Sequence, residues 1–291
     1  MNDDKGYQIL NDIASDYNSG ALALCGDILH YFLYNEALNS FPKIKNNIEY
    51  AMDKIGAEHS EMPSIIRLLS KLHSIYLAHL EDSDTSGFQA EVKMILEELE
   101  KIPESVSNYA AETIKDFEKI ITLSNSKTVA STFGKLHQNG KSFVALICES
   151  SPGRESYIMA KTLQDDGIDV IIIPDTAIAD VIDRTSCVII GCDTISPTHF
   201  RNKIGSYQLA LIARHFGAPY YILGDSYKVV KDIRSIGEVK ETVKINENNL
   251  KTLFKLFEDV PINLADEIIL EKGIFKASDI KAWIKDLIKD F

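Results

Sequence analysis

Polar residues follow five short apolar segments in the second half of the sequence, and they are the first candidates for chemistry. The polar stretches are Ser124-Asn125-Ser126, Glu149-Ser150-Ser151, Pro174-Asp175, Gly191-Cys192-Asp193-Thr194 and Gly224-Asp225-Ser226. If the apolar segments are strands of one parallel sheet, these residues line the crevice beyond its carboxyl ends, where ligands bind. Helix capping is the alternative role for Ser126 and Asp175. The five stretches together predict a ligand site.

A second motif, Asn202-Lys203-Ile204-Gly205, is predicted to open the helix that runs over 207–216. A helix N-terminus favours an anion, Lys203 adds a full charge, and Gly205 allows close approach of backbone or ligand. Asn202 is predicted to cap the helix and to orient Asp193. The alternative for Lys203 is an ordinary solvated lysine. Since the sequence has neither a Walker loop nor G-x-G-x-x-G, phosphoryl transfer from nucleotides and dinucleotide binding are disfavoured.

The elements that must position these residues fall into two kinds. Residues 7 to about 118 predict successive helices, with apolar stripes of helical period at 21–33, 44–55, 65–80 and 92–99. From about residue 120, apolar runs of strand length alternate with helical stretches, at 120–121, 143–148, 170–173, 187–190, 220–223 and 267–270. Such runs indicate strands buried on both faces, joined by helical crossovers. The predicted fold class is therefore α/β, with a helical N-terminal domain (1–118) before a Rossmann-like, mostly parallel doubly wound sheet (119–291).

Composition excludes several classes of protein. The chain has 291 residues, 45% of them hydrophobic, and no apolar stretch of membrane-spanning length, so a cytoplasmic protein without membrane contact is expected. Its N-terminus does not resemble a signal peptide. A net charge of −12 argues against direct nucleic-acid binding. The four cysteines form no C-x-x-C pair and no metal-ligand spacing with histidine, so neither a metal nor a cofactor is predicted.

The motifs resemble the signature G-A-D-x-I … N-K-I-G-T-x-x-x-A of one protein family. It contains the α, β and δ regulatory subunits of translation initiation factor 2B and two aldose–ketose isomerases, for methylthioribose 1-phosphate and ribose 1,5-bisphosphate. The similar segments are Gly191-Cys192-Asp193-Thr194-Ile195, Asn202-Lys203-Ile204-Gly205-Ser206-Tyr207-Gln208-Leu209-Ala210, Glu149-Ser150-Ser151-Pro152, Asp175-Thr176-Ala177 and 257–275. Residues 16–21, which include Gly20, are similar to a degraded R-G-A segment. The resemblance implies a helical N-terminal domain and dimerisation through a Rossmann-like C-terminal domain.

The resemblance also implies a catalytic pair, of which this sequence keeps one member. The isomerases use a cysteine and an aspartate in the crevice. The aspartate corresponds to Asp193, whereas Ser124 stands in place of the cysteine. A thiol titrating near 8.5 can exchange a proton between sugar carbons, but a serine hydroxyl needs an activating base. Cys148 or Cys192 is an alternative thiol, although Cys192 and Asp193 are neighbours and should point to opposite sides of an extended segment.

Basic residues of the family pattern are missing as well. By resemblance, two arginines correspond to Ser151 and Ser19, and a glycine corresponds to Ser156, while Arg154 would partly restore a cation. Losing two arginines removes bidentate phosphate contacts that lysine does not reproduce. The candidate ligand-binding residues are Gly20, Ser126, Glu149, Arg154, Asp175, Asn202, Lys203 and Gly205.

Three functions fit these observations. The first is a regulatory homologue that binds a phosphorylated sugar or nucleotide without isomerase activity, with a translation initiation factor as a candidate partner. The second is an aldose–ketose isomerase acting on a phosphorylated ribose, with Asp193 as acid and base and Ser124 as its hydrogen-bonding partner. The third is a homodimeric scaffold whose crevice is vestigial.

Overall fold

The computed structural model describes residues 3–16, 19–233, 239–245 and 248–289. Its contacts divide the chain into two units, one ending at Ile102 and the other beginning at Pro103. The division falls inside the long helix α5, at a proline that lacks the N–H needed for a regular helical bond. The domain boundary predicted after residue 118 lies in the loop between the end of α5 and the first strand.

The first unit is helical, as its apolar periodicity predicts. Its helices are α1 Asp3–Ala14, α2 Ala21–Tyr34, α3 Phe41–Glu58, α4 Pro63–Ala78 and the first part of α5 Ser86–Ile114. Pro63 is at the first position of α4, where its missing N–H costs nothing. Most residues of the predicted stripes lie in the core, among them Ile28, Ile48 and Leu69, whereas Met52 and Leu80 of the same stripes are exposed. No strand occurs in the described part of this unit.

The second unit is built around a seven-stranded sheet. Along the chain it contains β1 Lys119–Thr122, α6 Lys127–Gln138, β2 Val144–Cys148, α7 Ser156–Asp165, β3 Asp169–Ile173, the short helix α8 Ile178–Val181, β4 Ser186–Gly191, β5 Thr194–Ile195, β6 His199–Lys203, α9 Ser206–Phe216, β7 Tyr220–Leu223, β8 Val239–Ile245, β9 Asn248–Phe254, β10 Phe257–Pro261, β11 Glu267–Leu270, β12 Gly273–Lys276 and α10 Ile280–Lys289. All six predicted strands are present, which confirms the predicted fold class.

The order of strands locates the crevice. The sheet runs β12-β11-β7-β4-β1-β2-β3, and every neighbouring pair is parallel except β11 with β12. From β1 the chain moves outward through β2 to β3, then returns to place β4 on the other side of β1. The topological switch point is therefore between β1 and β4, which is where ligands bind in open parallel sheets.

A three-stranded antiparallel sheet, β10-β6-β5, lies outside the predicted architecture. Its central strand β6 ends in Asn202 and Lys203, so these two residues end a strand and do not open the helix, contrary to the prediction. In the pairing of β6 with β10, Arg201 stands opposite Asp259. The buried Arg201 guanidinium donates to both carboxylate oxygens of Asp259, at 2.8 and 3.1 Å, and this bidentate pair stabilises the register.

Helix α9 begins one residue earlier than predicted, at Ser206. Gly205 precedes it with φ of +101°, a backbone conformation that residues with a Cβ rarely adopt. Gly205 thus allows the chain to turn sharply from β6 into α9. Leu209 on α9 is buried with Val188 and Ile190 of the sheet in one cluster, which anchors the helix beside β4.

Candidate functional site

Ser124 and Asp193 lie on either side of the switch point. Ser124 follows β1 and Asp193 follows β4, two strands that are direct neighbours in the sheet. The sequence-based pairing of these two positions is thus compatible with the topology. Backbone conformation also distinguishes this region: Ser124, Ser150 and Arg154 have φ of 67°, 59° and 55°. Left-handed backbone at residues with a Cβ costs about 1 kcal/mol or more each and is characteristic of functional loops.

A carboxylate that sequence reasoning did not select joins Ser124 to Lys203. The Ser124 hydroxyl donates to Oε1 of Glu155 at 2.8 Å. Lys203 Nζ lies 3.1 Å from the same oxygen, and it also lies 5.5 Å from the centre of the Phe257 ring. The Lys203 side chain is only 12% exposed. Ser124, Glu155 and Lys203 therefore form one partly buried cluster, which we call the Glu155 cluster.

The turn after β2 is held by Asp175. Its two carboxylate oxygens accept hydrogen bonds from the backbone N–H groups of Ser150 and Ser151, at 2.8 and 2.7 Å. The same turn contains a cis peptide bond between Ser151 and Pro152. Asp175, proposed from the sequence as a ligand-binding residue, thus fixes the shape of the turn that contributes Glu155.

Glu149 and Arg154 face each other across this turn. Arg154 Nε lies 3.2 Å from Oε1 of Glu149, which also accepts from the Tyr157 hydroxyl. The Arg154 side chain is largely exposed and sits at the rim, where solvent weakens its ion pair. Ser126 has the capping role considered as its alternative: its hydroxyl accepts from Val129 N at the start of α6.

Asp193 is held in place by a hydrogen bond of its backbone, and charged side chains surround its carboxylate. Its N–H donates to the Arg201 carbonyl at 2.8 Å, while its carboxylate makes no hydrogen bond to any described residue. Burial raises the pKa of Asp193 above its ordinary value, and the nearby cations Lys228, Lys203 and Arg201 oppose that rise. A carboxyl with a raised pKa can hold or release a proton closer to neutral pH.

Lys228 and Asp225, which follow β7, complete the charged surroundings of Asp193. Lys228 Nζ lies 3.3 Å from Oδ2 of Asp225, and both side chains are largely buried. Burial lowers the pKa of Lys228, but Asp225 and other neighbours raise it more, so that the net shift is upward and the ammonium is maintained. Sequence reasoning recognised Asp225 at the end of a strand but missed Lys228, three residues on and inside a single turn of 3₁₀-helix.

The side-chain carboxylate of Glu258 occupies the N-terminus of α9. The backbone N–H groups of Gly205 and Tyr207 donate to Oε1 of Glu258, at 2.7 and 2.9 Å. Asn202 makes no cap; its amide donates to the Ser206 hydroxyl at 2.9 Å. The predicted cap by Asn202 is therefore wrong, because Asn202 lies within β6 and Glu258, opposite it on β10, reaches the helix instead.

The two cysteines considered as alternative thiols, Cys148 and Cys192, are both buried. Burial raises the pKa of Cys148 to about 12 and that of Cys192 to about 12, so neither is a thiolate at neutral pH. Cys192 Sγ points towards the Leu223 carbonyl, 3.8 Å away. Within residues 3–16, 19–233, 239–245 and 248–289, no group of three or more His, Cys, Asp or Glu side chains could hold a metal ion.

Gly20 belongs to the first unit, where it caps α2 with an extended backbone. A Cβ added at Gly20 would meet no atom within 4 Å, so its local packing does not require glycine. Its proposed role in ligand binding stays a prediction.

Among the helices of the described residues, none is long and apolar enough to cross a membrane.

We predict that Asp193→Asn raises the melting temperature at neutral pH. Because folding raises the pKa of Asp193, this carboxyl stabilises the fold when protonated, and that contribution is lost as the pH rises through its folded pKa. The amide does not titrate, so the advantage of the variant should shrink as the pH falls from about 8 towards about 4. Thermal unfolding across this range measures it, with Asp165→Asn on α7 as the control for losing an exposed acid. A variant less stable than wild type at every pH would contradict the prediction.

Comparisons with known proteins agree with this fold. Residues 28–277 match the Initiation factor 2 subunit family, and the chain belongs to that family. It is 32% identical over 184 residues to ribose 1,5-bisphosphate isomerase of Methanocaldococcus jannaschii, a match covering 60% of each chain. The chain thus spans about 60% of the length of that relative. It is also 23% identical over 274 residues to a putative translation initiation factor eIF-2B subunit 2-like protein of Pyrococcus abyssi, covering 93% of this chain and 96% of the relative.

Solved structures with low sequence identity share the fold. A translation initiation factor eIF-2B from Pyrococcus horikoshii superposes with a TM-score of 0.79 at 22% identity, covering 94% of this chain and 97% of that one. A 5-methylthioribose 1-phosphate isomerase from Pyrococcus horikoshii gives 0.78 at 19% identity, with coverage of 98% and 88%. Sugar-phosphate isomerases and initiation factor subunits are both similar to this chain, so similarity alone does not distinguish between these two functions.

Proposed function

We propose that this chain is a regulatory member of its family that binds a phosphorylated sugar or nucleotide at the switch point without isomerising it. The observation that carries the proposal is the hydroxyl of Ser124. It stands where the resemblance places a cysteine, and it donates a hydrogen bond to Glu155. An aldose–ketose isomerisation moves a proton between two carbons and needs groups that exchange protons near neutral pH. The hydroxyl is a poor group for that task, and the nearby thiols are buried and protonated.

The remaining residues suit binding of a polar, phosphorylated ligand. Lys203 and Lys228 are two of the cations near Asp193, and either ammonium can form a charge-assisted bond with a phosphate oxygen. The Asp193 carboxylate is an acceptor for sugar hydroxyls. We also propose that the chain forms a homodimer, since Ile158 on α7 and Ile171 on the edge strand β3 are exposed apolar side chains. A cytoplasmic location is proposed as well. A translation initiation factor is the proposed macromolecular partner.

One experiment tests the proposal directly. The purified protein is incubated with ribose 1,5-bisphosphate and with methylthioribose 1-phosphate while ketose formation is followed. Thermal shifts are measured with sugar phosphates and nucleoside monophosphates. We expect stabilisation by at least one phosphorylated ligand and no turnover. Ketose formation that Asp193→Asn abolishes would refute the proposal, and the absence of any thermal response would favour a scaffold with a vestigial crevice.

One observation favours isomerase activity as the second candidate. Glu155 lies within hydrogen-bonding distance of the Ser124 hydroxyl, so it could act as the base that a serine requires. In that case Asp193 would be the second proton-transfer group. Turnover in the wild type that is lost in both Glu155→Gln and Asp193→Asn would support this candidate, whereas stabilisation without turnover would exclude it.

A further inference from the structure

The Glu155 cluster places a carboxylate where the proposed function needs the anionic group of a ligand. Oε1 of Glu155 is 3.1 Å from Lys203 Nζ and accepts the Ser124 hydroxyl at 2.8 Å. The lysine and the hydroxyl that would bind a phosphate oxygen are thus both engaged by one oxygen of the protein. Two negative groups cannot share the same ammonium without strong repulsion.

The position of this carboxylate is not explained by helix capping. Glu155 is the residue before α7, where an acidic side chain would ordinarily bond to the first N–H groups of the helix, but it makes no such bond. Instead its side chain turns to Lys203. The neighbouring Gly153 leaves room for this arrangement, because a Cβ there would lie 2.3 Å from Oε2 of Glu155 and 3.2 Å from Lys203 Nζ.

Two other cations around the crevice and the N-terminus of α9 also contact carboxylates of the protein. Arg154 pairs with Glu149, Lys228 pairs with Asp225, and Glu258 takes the N-terminus of α9. Among these contacts the Lys203–Glu155 pair stands out. It joins a lysine of the predicted binding motif to the hydroxyl beside the switch point, and Glu155 is a flexible side chain that is 23% exposed. It can therefore move without disturbing the sheet.

We propose that Glu155 is an internal competitor for the anionic group of the ligand. Its carboxylate occupies the anion position formed by Lys203 and Ser124, and a phosphate that binds there displaces it. This inference rests on the proposed function, because Glu155 would set the affinity of that same site. The apparent dissociation constant equals the intrinsic one divided by the fraction of molecules in which the position is open. Glu155 thus limits binding to ligands present at high concentration.

Glu155→Gln tests the inference, since it removes the charge while keeping the shape of the side chain. Binding of ribose 5-phosphate, AMP and inorganic phosphate is measured by calorimetry, and unphosphorylated ribose is the neutral probe. We expect phosphorylated probes to bind about tenfold more tightly to Glu155→Gln, which corresponds to an open fraction of about 0.1 in the wild type. Ribose should show no such gain. Asp165→Asn, at the far end of α7, is the matched control and should leave all affinities unchanged.

A second measurement needs no ligand. Limited acetylation followed by mass spectrometry should modify Lys203 several times faster in Glu155→Gln than in the wild type, while the exposed Lys161 is modified at the same rate in both. Thermal unfolding establishes that the variant is folded.

The outcomes separate the inference from the function on which it rests. If the wild type binds a phosphorylated probe and Glu155→Gln binds it no more tightly, the proposal that Glu155 competes is refuted while the proposed function survives. An equal gain in affinity for ribose would also refute the proposal, because Glu155 would then exclude the ligand sterically and would not compete with its anionic group. If neither protein binds any phosphorylated probe, the proposed function fails, and the inference fails with it.

Discussion

Gly191→Ala is expected to lower the free energy of unfolding by about 3 kcal/mol, the sum of overpacking and a disturbed helix cap. Gly191 is the last residue of β4 and is buried. A Cβ at this position would lie 2.7 Å from Ser126 Oγ and 2.8 Å from Ser126 Cβ. Ser126 cannot simply rotate away, since its Cβ is fixed by the backbone and its hydroxyl caps α6. Urea denaturation followed by circular dichroism measures the loss.

The chain offers both a control and a suppressor for this prediction. Gly134 lies inside α6, and a Cβ there would meet nothing within 4 Å, so Gly134→Ala should be neutral or stabilising by up to about 1 kcal/mol. Ser126→Gly removes both atoms that collide with the new methyl group at position 191, and as a change of cap it costs only a few tenths of a kcal/mol. In the Ser126→Gly background, Gly191→Ala should therefore be nearly harmless. An undiminished loss in the double variant would show that Ser126 is not the obstacle.

Lys203→Met is expected to weaken binding of a phosphorylated ligand by about tenfold, since a charge-assisted bond contributes roughly 1.5–3 kcal/mol and part of it is offset by the lost pair with Glu155. Methionine keeps much of the apolar stem of Lys203 but lacks the ammonium that lies over the Phe257 ring. Calorimetry with ribose 5-phosphate measures the change. Lys161→Met is the control, because Lys161 is an exposed lysine paired with Asp165 on α7.

The same variant behaves differently when Glu155 is neutral. If Glu155 competes for Lys203, then Lys203→Met should cost about a hundredfold in the Glu155→Gln background, since the ligand then loses an uncontested cation. The double variant should bind about as weakly as Lys203→Met alone. Equal losses in the two backgrounds would mean that the two side chains act independently, and an unchanged affinity in Lys203→Met would place the phosphate elsewhere.

Much of the fold could be predicted from local sequence. Apolar runs such as 187–190 are buried on both faces in the sheet, and a run of that kind reports burial directly, because strands at the centre of a parallel sheet contact helices on each side. The helical period before residue 118 is equally direct. The positions of polar residues after the strands then predicted that Asp193 and Ser124 lie at the carboxyl ends of the strands, without any knowledge of the strand order.

The antiparallel sheet was not predictable in the same way. His199–Lys203 has the sequence HFRNK, which lacks an apolar run, and its partner strand begins more than fifty residues later at Phe257. The pairing depends on Arg201 and Asp259, an ion pair between distant segments. Glu155 and Glu258 were missed for the same reason: nothing nearby in the sequence distinguishes them from solvated acids.

By itself the sequence determined the class of fold and the end of the sheet that carries the polar residues, because each depends on residue type and local spacing. That Ser124 stands in place of a cysteine is what the family resemblance implies. Only the tertiary structure decided which charges meet. It pairs Lys203 with Glu155, places Glu258 on the N-terminus of α9 and leaves the Asp193 carboxylate without a hydrogen bond among the described residues. These contacts join residues far apart in the chain, and their energies depend on distance and burial, which no local pattern of residues encodes.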